Sequence, residues 1–414
     1  MDDLRRSLGD FDPEAPLPTA PDPWDYQPMP EVRPGPPWAM AEMIAAEPAL
    51  AVRVGRQAMA DGTARALAKL VRAAIDAREQ VVVTGCGTSE HAAMAVAAIL
   101  RDAKRRAAWP GPDPSSAQAF ELSLDPPASG LVIGCSHEGG TAATISALDA
   151  AAASGARTAL ITASGGAPAT IGRDLVVATR ELDQSWCHTV GYVSPITVAE
   201  IVAAELTGDT RRPGAIGHRL GEGIEAAHSG PANGGGLPPD VSIASVLAAA
   251  GRLLVIASGL DRITARELAL KIEEASWLPA TARDLETFLH GHLPATDGGT
   301  ALLLILLERH GLEARAKRAR QALRAAATVG LRPAALLGAE AASRIPAELT
   351  PSGRIVVPES TELCGAAAGL LGAATPLQLV TLAVAAARGT NPDPIRRDDP
   401  AYLRAAELAD DPAG

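Results

Sequence analysis

Short apolar runs separated by Ala-rich helical stretches occur in the same order twice along the 414 residues. This alternation restricts the fold more than any other feature. In the first half the runs are VVVT (81–84), LVI (131–133), TALIT (158–162) and LVVA (175–178). In the second they are LLVIA (253–257), ALLLILL (301–307), AALLG (334–338) and RIVVP (354–358). Strands that are apolar throughout are buried on both faces, and strands alternating with helices build parallel sheets covered on both sides. The chain therefore reads as α/β, with two copies of one three-layer unit related by duplication. The boundaries are a Pro/Asp-rich N-terminal arm over 1–37, a first domain over 38–215 and a linker over 216–240 that contains HSGPANGGGLPPD. A second domain follows over 241–390, then a tail over 391–414. Parallel α/β sheets take ligands at the carboxyl ends of their strands.

Composition excludes several classes. The net charge is −11 and aromatic residues make up 3%, whereas nucleic-acid binders need basic surfaces and stacking rings. Phosphate-bearing small molecules stay open, because a local field can oppose the net charge. The four cysteines (Cys86, Cys135, Cys187, Cys364) show no CxxC pairing, which argues against a disulfide scaffold or a zinc ribbon. The N-terminus lacks a signal-peptide core, and no uncharged apolar run reaches the roughly 18 residues of a membrane helix. The expectation is a cytoplasmic chain with neither nucleic-acid nor membrane partners.

Two loops of the first half share one plan: strand, small-residue turn, hydroxyls, helix. TGCGTSEHA (84–92) offers Gly85 and Gly87 for close backbone approach, with Thr88 and Ser89 at the helix start. GCSHEGGTAAT (134–144) offers Ser136, His137 and Thr141 around Glu138. Backbone N–H groups at a helix N-terminus make an anion cradle. A single such loop is an ordinary N-cap, but two on one sheet point to a binding site. Neither is a dinucleotide fingerprint or a P-loop. A third stretch, QSWCHTVGYVSPIT (184–197), reads either as a loop that turns Ser194 toward the same pocket or as a Pro-started helix capped by Ser194.

In the second half, ARELALKIEEASW (265–277) is strongly helical and places Glu267, Lys271 and Glu274 at i, i+4 and i+7, on one face. This is either a solvated charged face or a carboxylate–cation–carboxylate site. Sixteen residues past Glu274 comes FLHGHLP, where Gly291 leaves room around His290. His290 and His292 form an HxH pair, but no further ligand pattern accompanies them and no metal is assigned.

Together GCGTS, the SxxGGT-type loop, ALKIEE and FLHGH resemble the tandem sugar-isomerase (SIS) domain family over roughly residues 38–395. The resemblance implies two SIS-type three-layer domains and aldose–ketose or aminosugar chemistry through an enediol or enolamine. It implies no cofactor, a small sugar derivative as ligand and a homodimer with a pocket shared between subunits. It assigns Gly87, Thr88, Ser89, Ser136, His137, Glu138 and Thr141 to substrate, Glu267, Lys271 and Glu274 to the catalytic helix, and His290 to ring opening. Glu274 would carry the proton between C1 and C2. An alternative is a non-catalytic regulator that binds a carbohydrate derivative.

Three departures narrow the reading. The glutamine-dependent aminotransferase members carry a glutaminase domain, and here Asp2 follows Met1 where they have a nucleophilic Cys. No lysine follows Lys317, so the family's tail lysine has no counterpart, and Arg396 or Arg397 can supply charge but not an imine. Glu138 stands where the family has a phosphate-binding hydroxyl. A carboxylate about 4 Å from a phosphate costs about 4 kcal/mol per unit charge at an effective dielectric near 20. The expectation is an isomerase or aminosugar deaminase, not glutamine-hydrolysing, whose substrate differs from a sugar phosphate at the end facing Glu138.

Overall fold

The computed structural model describes residues 8–25, 32–210, 212–228 and 237–409. Within these, the first group of apolar runs forms an all-parallel sheet from β1 (Val81–Gly85), β2 (Ser115–Gln118), β3 (Leu131–Cys135), β4 (Arg157–Thr162) and β5 (Leu175–Ala178), ordered β2-β1-β3-β4-β5. The second group gives β6 (Arg252–Ala257), β7 (Ala280–Asp284), β8 (Thr300–Leu306), β9 (Ala334–Gly338) and β10 (Arg354–Val357), ordered β10-β9-β8-β6-β7. Read from β7, the second order repeats the first. Registers such as Val81↔Leu131 and Arg252↔Thr300 are parallel throughout.

Alternation along each strand sends side chains to two covered faces. Val81, Val83, Leu131 and Ile133 pack beneath α1 (Ala39–Ala60), α2 (Thr63–Asp76), α3 (Thr88–Arg106) and α6 (Val190–Thr207). Val82, Val132 and Leu160 pack against α4 (Ala119–Leu124) and α5 (Ala142–Ser154). In the second sheet, Leu253, Val255, Leu303 and Ile305 face α8 (Pro239–Ala248), α9 (Asp261–Ser276) and α11 (Gly365–Arg388), while Leu254, Ile256, Leu302 and Leu304 face α10 (Leu312–Thr328). Each buried side chain of this size contributes about 1.5–3 kcal/mol relative to exposure. Two tandem three-layer α/β units result.

Three sequence readings need correction. The strands β2 (SSAQ) and β7 (ATARD) are not among the expected ones: they are edge strands whose side chains are mostly exposed or half-buried, so they carry no apolar run. The span read as a linker is helical over Pro213–His228 (α7), and 229–236 lie outside the described residues. Two glycines of this helix are close-packing positions: a Cβ on Gly217 would strike the Pro48 carbonyl, and one on Gly223 would strike Thr375. Finally, α6 and α11 are long and apolar enough to cross a membrane, but they are 83% and 78% buried inside the protein as core helices.

The described part of the arm, 8–25, is draped on the first unit. Thr19 bridges Glu181, whose carboxylate takes the Leu17 N–H and a bidentate Arg53 pair at 2.7 and 2.8 Å. Trp24 lies over Gly140.

Strand order reverses between β1 and β3 in the first sheet and between β6 and β8 in the second. Each reversal opens a crevice at the strand ends. The helices that leave β1 and β6, α3 and α9, pack against each other, so the two units meet beside the first crevice.

Candidate functional site

Glu267 and Lys271 lie on α9 at the seam with α3, where they are 1% and 0% exposed. Lys271 Nζ sits 2.6 Å from Glu274 Oε2 and 3.7 Å from Glu267 Oε1. Helical spacing alone made this face either solvated or chemical. Burial excludes the solvated reading for Glu267 and Lys271. From α3, His91 Nδ1 reaches Glu267 Oε2 at 2.7 Å and the Thr88 hydroxyl donates to Glu267 Oε1 at 3.3 Å. Burial pushes the Glu267 carboxyl up, but Lys271, His91 and Thr88 outweigh it and hold it below the usual carboxylate range. Burial likewise disfavours charge on Lys271, yet Glu274 and Glu267 raise its pKa, so the ammonium stays charged. Glu274 is 21% exposed, and its Oε1 has no partner among the described residues. The arrangement is one fixed cation flanked by a locked carboxylate and an accessible one.

The strand-end loops converge from the other side. Gly87 starts α3 at φ +56, and a Cβ on Gly85 would meet the Ser89 carbonyl at 2.5 Å. Thr88 faces Glu267, whereas Ser89 is half-buried without a described partner. In the second loop, Ser136 is 2% exposed, and its hydroxyl lies 3.4 Å from the Thr141 hydroxyl at the surface. The N–H groups of Glu138, Gly139 and Gly140 have no partner among the described residues. Glu138 is half-buried and has no described hydrogen bond or ion pair. Its charge acts on His188, as does that of Lys271.

His137, Asp183 and His188 bring donor atoms within 4.8 Å of one another, the composition of a metal-binding set. Their lone pairs are largely engaged already. Asp183 accepts the N–H groups of Ser185, Thr189 and Gly191, and its own N–H donates to His137 Nε2 at 2.8 Å. Burial, reinforced by His188, lowers the His137 pKa to about 4, so that ring is neutral. His188 Nδ1 lies 3.7 Å from Asp183 Oδ2 with the side chain 26% exposed. Burial opposes its charge, but Asp183 overcomes this and raises its pKa. Asp183 and His137 are thus hydrogen-bonded together, while His188 Nδ1 lies beside them, buried without a hydrogen-bond partner, and feels the charges of Glu138 and Lys271.

The sequence does not single out His91, Asp183 or His188, although TSEHA and WCHTV contain both histidines. Ser194 is a correction. It lies inside α6, 1% exposed, with an unpartnered hydroxyl, and neither lines a loop nor caps a helix. Asp183 captures the first N–H groups of the helix, so α6 begins at Val190. His290 is not brought to α9 of its own chain. Its ring is 70% exposed and bound to Glu286 at 2.9 Å and Arg318 at 3.1 Å.

The tail closes the rim. Arg396 stacks on Trp277 and Tyr402, and Arg397 stacks on Trp186. Asp393 caps α1 by accepting the Ala39 and Met40 N–H groups at 2.8 and 2.9 Å, and its carbonyl accepts the Trp186 N–H. The loop bearing His188 is thereby tied to both ends of the chain.

The SIS domain family matches residues 75–203. The C-terminal domain of glucosamine-fructose-6-phosphate aminotransferase from Francisella tularensis superposes at TM-score 0.70 with 17% identity, over 88% of this chain and 99% of that one. Tagatose-6-phosphate ketose/aldose isomerase from Escherichia coli gives 0.68 with 17% identity over 90% and 98%. Glucosamine-6-phosphate deaminase from Thermotoga maritima gives 0.54 with 18% identity over 76% and 88%. No curated protein matches the chain in sequence. Residues 75–203 thus match the SIS domain family, within a chain that folds as two tandem three-layer α/β units like those of these structures.

Proposed function

We propose that the chain is a sugar aldose–ketose isomerase or aminosugar deaminase that works through an enediol or enolamine. The observation that carries this is the Glu267–Lys271–Glu274 row, buried at Glu267 and Lys271, accessible at Glu274 and held across the seam by His91. Family likeness and neighbours named as an isomerase and a deaminase support the reading. Glu274 Oε1 removes the proton beside the carbonyl and returns it to the adjacent carbon, while Lys271 stabilises the oxygen on which charge develops. Glu267 keeps Lys271 charged and in place. Ser89, Ser136 and Thr141 hold substrate oxygens, and Glu138 faces a hydroxyl or amine, which favours an aminosugar or a neutral polyol end. Arg396 or Arg397 supplies charge from the tail but forms no imine. The chemistry requires no cofactor. A cytoplasmic location and a homodimer in which His290 serves the partner's pocket belong to the same reading.

The outward position of His290 favours a second reading, a sugar-derivative sensor without turnover. Solvent deuterium exchange at C1 or C2 of candidate sugars separates the two. Exchange that disappears in Glu274→Gln supports the enzyme. A ligand that binds without exchange supports the sensor.

A further inference from the structure

The second strand-order reversal also opens into a cleft, of about 990 Å³, that no part of the proposed reaction uses. Its floor is the end of β6 and β8, at Gly259, Leu260 and Glu308. One wall is α3, and the other is formed by β7 and α10. Seven arginines and only three carboxylates line it, in a protein whose net charge is −11. Some of this charge is neutralised, by Arg262 with Asp284 at 3.1 Å and Arg106 with Asp102 at 3.4 Å. Arg101, Arg283 and Arg315 form no ion pair among the described residues.

Two of these three are built in. The Arg315 guanidinium donates to the His310 carbonyl at 2.7 Å and to the Ser258 hydroxyl. It lies on Gly259, where a Cβ would stand 2.7 Å from its central carbon. That turn, at φ +64, suits glycine on conformational grounds as well. Arg283 is half-buried, and its Nε–H is buried without a partner. An unsatisfied buried donor on a cation is costly, and an anion beside the guanidinium would offset that cost through its charge.

We propose that this cleft is a second ligand site, for a small phosphorylated polyol. Arg283 and Arg315 take the phosphate, because fixed guanidinium forks suit its geometry. The carboxylates of Asp102, Asp284 and Glu308 are placed for hydroxyls, not for a second anion. The N–H groups of Leu307 and Glu308 are not free for the phosphate, because Asp261 already accepts them at 2.8 and 2.9 Å. Recognition is therefore through side chains and is steeply salt-dependent. It does not depend on the first crevice being catalytic.

Isothermal titration of the full chain with glucose 6-phosphate, inorganic phosphate and glucose tests this. Glucose 6-phosphate should bind more tightly than inorganic phosphate, glucose should not compete, and added salt should weaken binding. Arg283→Gln with Arg315→Gln should weaken binding at least tenfold, and Arg283→Gln alone, which leaves the strand-end turn untouched, should weaken it clearly. Ser136→Ala in the first crevice should leave this binding unchanged. The proposal is overturned if neither phosphate binds at millimolar concentration, or if the arginine variants bind as wild type does. Loss of binding in Ser136→Ala alone also overturns it. So does a change of sedimentation in the arginine variants without any phosphate binding, which would make the cleft a contact between copies of the chain.

Discussion

At the end of β1 the chain places Gly85, Gly87, Thr88 and Ser89; at the matching end of β6 it places Ser258, Gly259, Leu260 and Asp261. One residue changes the chemistry of the crevice. In the first unit the loop after β3 keeps the N–H groups of Glu138, Gly139 and Gly140 unpaired. In the second, the N–H groups of Leu307 and Glu308, just past β8, are taken by Asp261. A duplicated scaffold thus offers main-chain donors at one reversal and arginine side chains at the other. Fold symmetry fixes where ligands can enter, and the side chains at the strand ends fix what enters.

The sharpest way to break this division is at the catalytic helix. Glu274→Gln is expected to cut carbon–hydrogen exchange about 10²–10⁴-fold, whereas Arg315→Gln leaves exchange on an unphosphorylated substrate intact. Equal loss in both, measured by exchange into deuterated water, would merge the two crevices into one site. Next in size is Lys271→Met, which strands Glu267 in the core. Removing one member of a buried ion pair costs about 3–5 kcal/mol, readable as a lowered denaturation midpoint with an unchanged slope.

The two crevices should also respond to pH with opposite signs. His137 titrates near 4 when folded, against 6.5 in the unfolded chain, so the unfolded state gains a proton first and stability falls as pH drops from about 6.5 to 4. Asp261 behaves in reverse. Burial raises it from 3.8 to about 7 against the pull of the Glu308 and Leu307 N–H groups. Its contribution is full below about pH 4 and is lost as pH rises through 7. Each amounts to about 3–4 kcal/mol. Denaturation across pH 4–8 should show His137→Gln removing the acid-side loss and Asp261→Asn removing the neutral-side one. The smallest effect is Glu138→Gln, which should shift selectivity toward phosphorylated over unphosphorylated sugars by roughly tenfold, about 1.4 kcal/mol. An unchanged ratio of kcat/KM values would remove Glu138 from the pocket.

Eight strands, the edge strands β5 and β10 among them, were legible in the sequence because they carry apolar runs, whereas the more exposed edges β2 and β7 carry no such mark. Glu267, Lys271 and Glu274 were legible as neighbours because helical spacing is local. Their burial was not, since it depends on α3 meeting α9. His91 pairs with Glu267 across 176 residues, and only the packing of two units brings them together. The helix starting at Val190 was misplaced for a related reason. Its cap, Asp183, lies seven residues earlier in an irregular segment, where the Ser-Pro pair was the stronger local signal.

Asp393 joins the start of α1, the Trp186 backbone and the turn after α11 through one side chain and one carbonyl. Removal of the last two dozen residues would therefore not be a neutral trimming. The His188 loop would lose its anchor while both sheets kept their cores. Proteolysis near residue 390 should accordingly register as weakened ligand affinity well before it registers as unfolding.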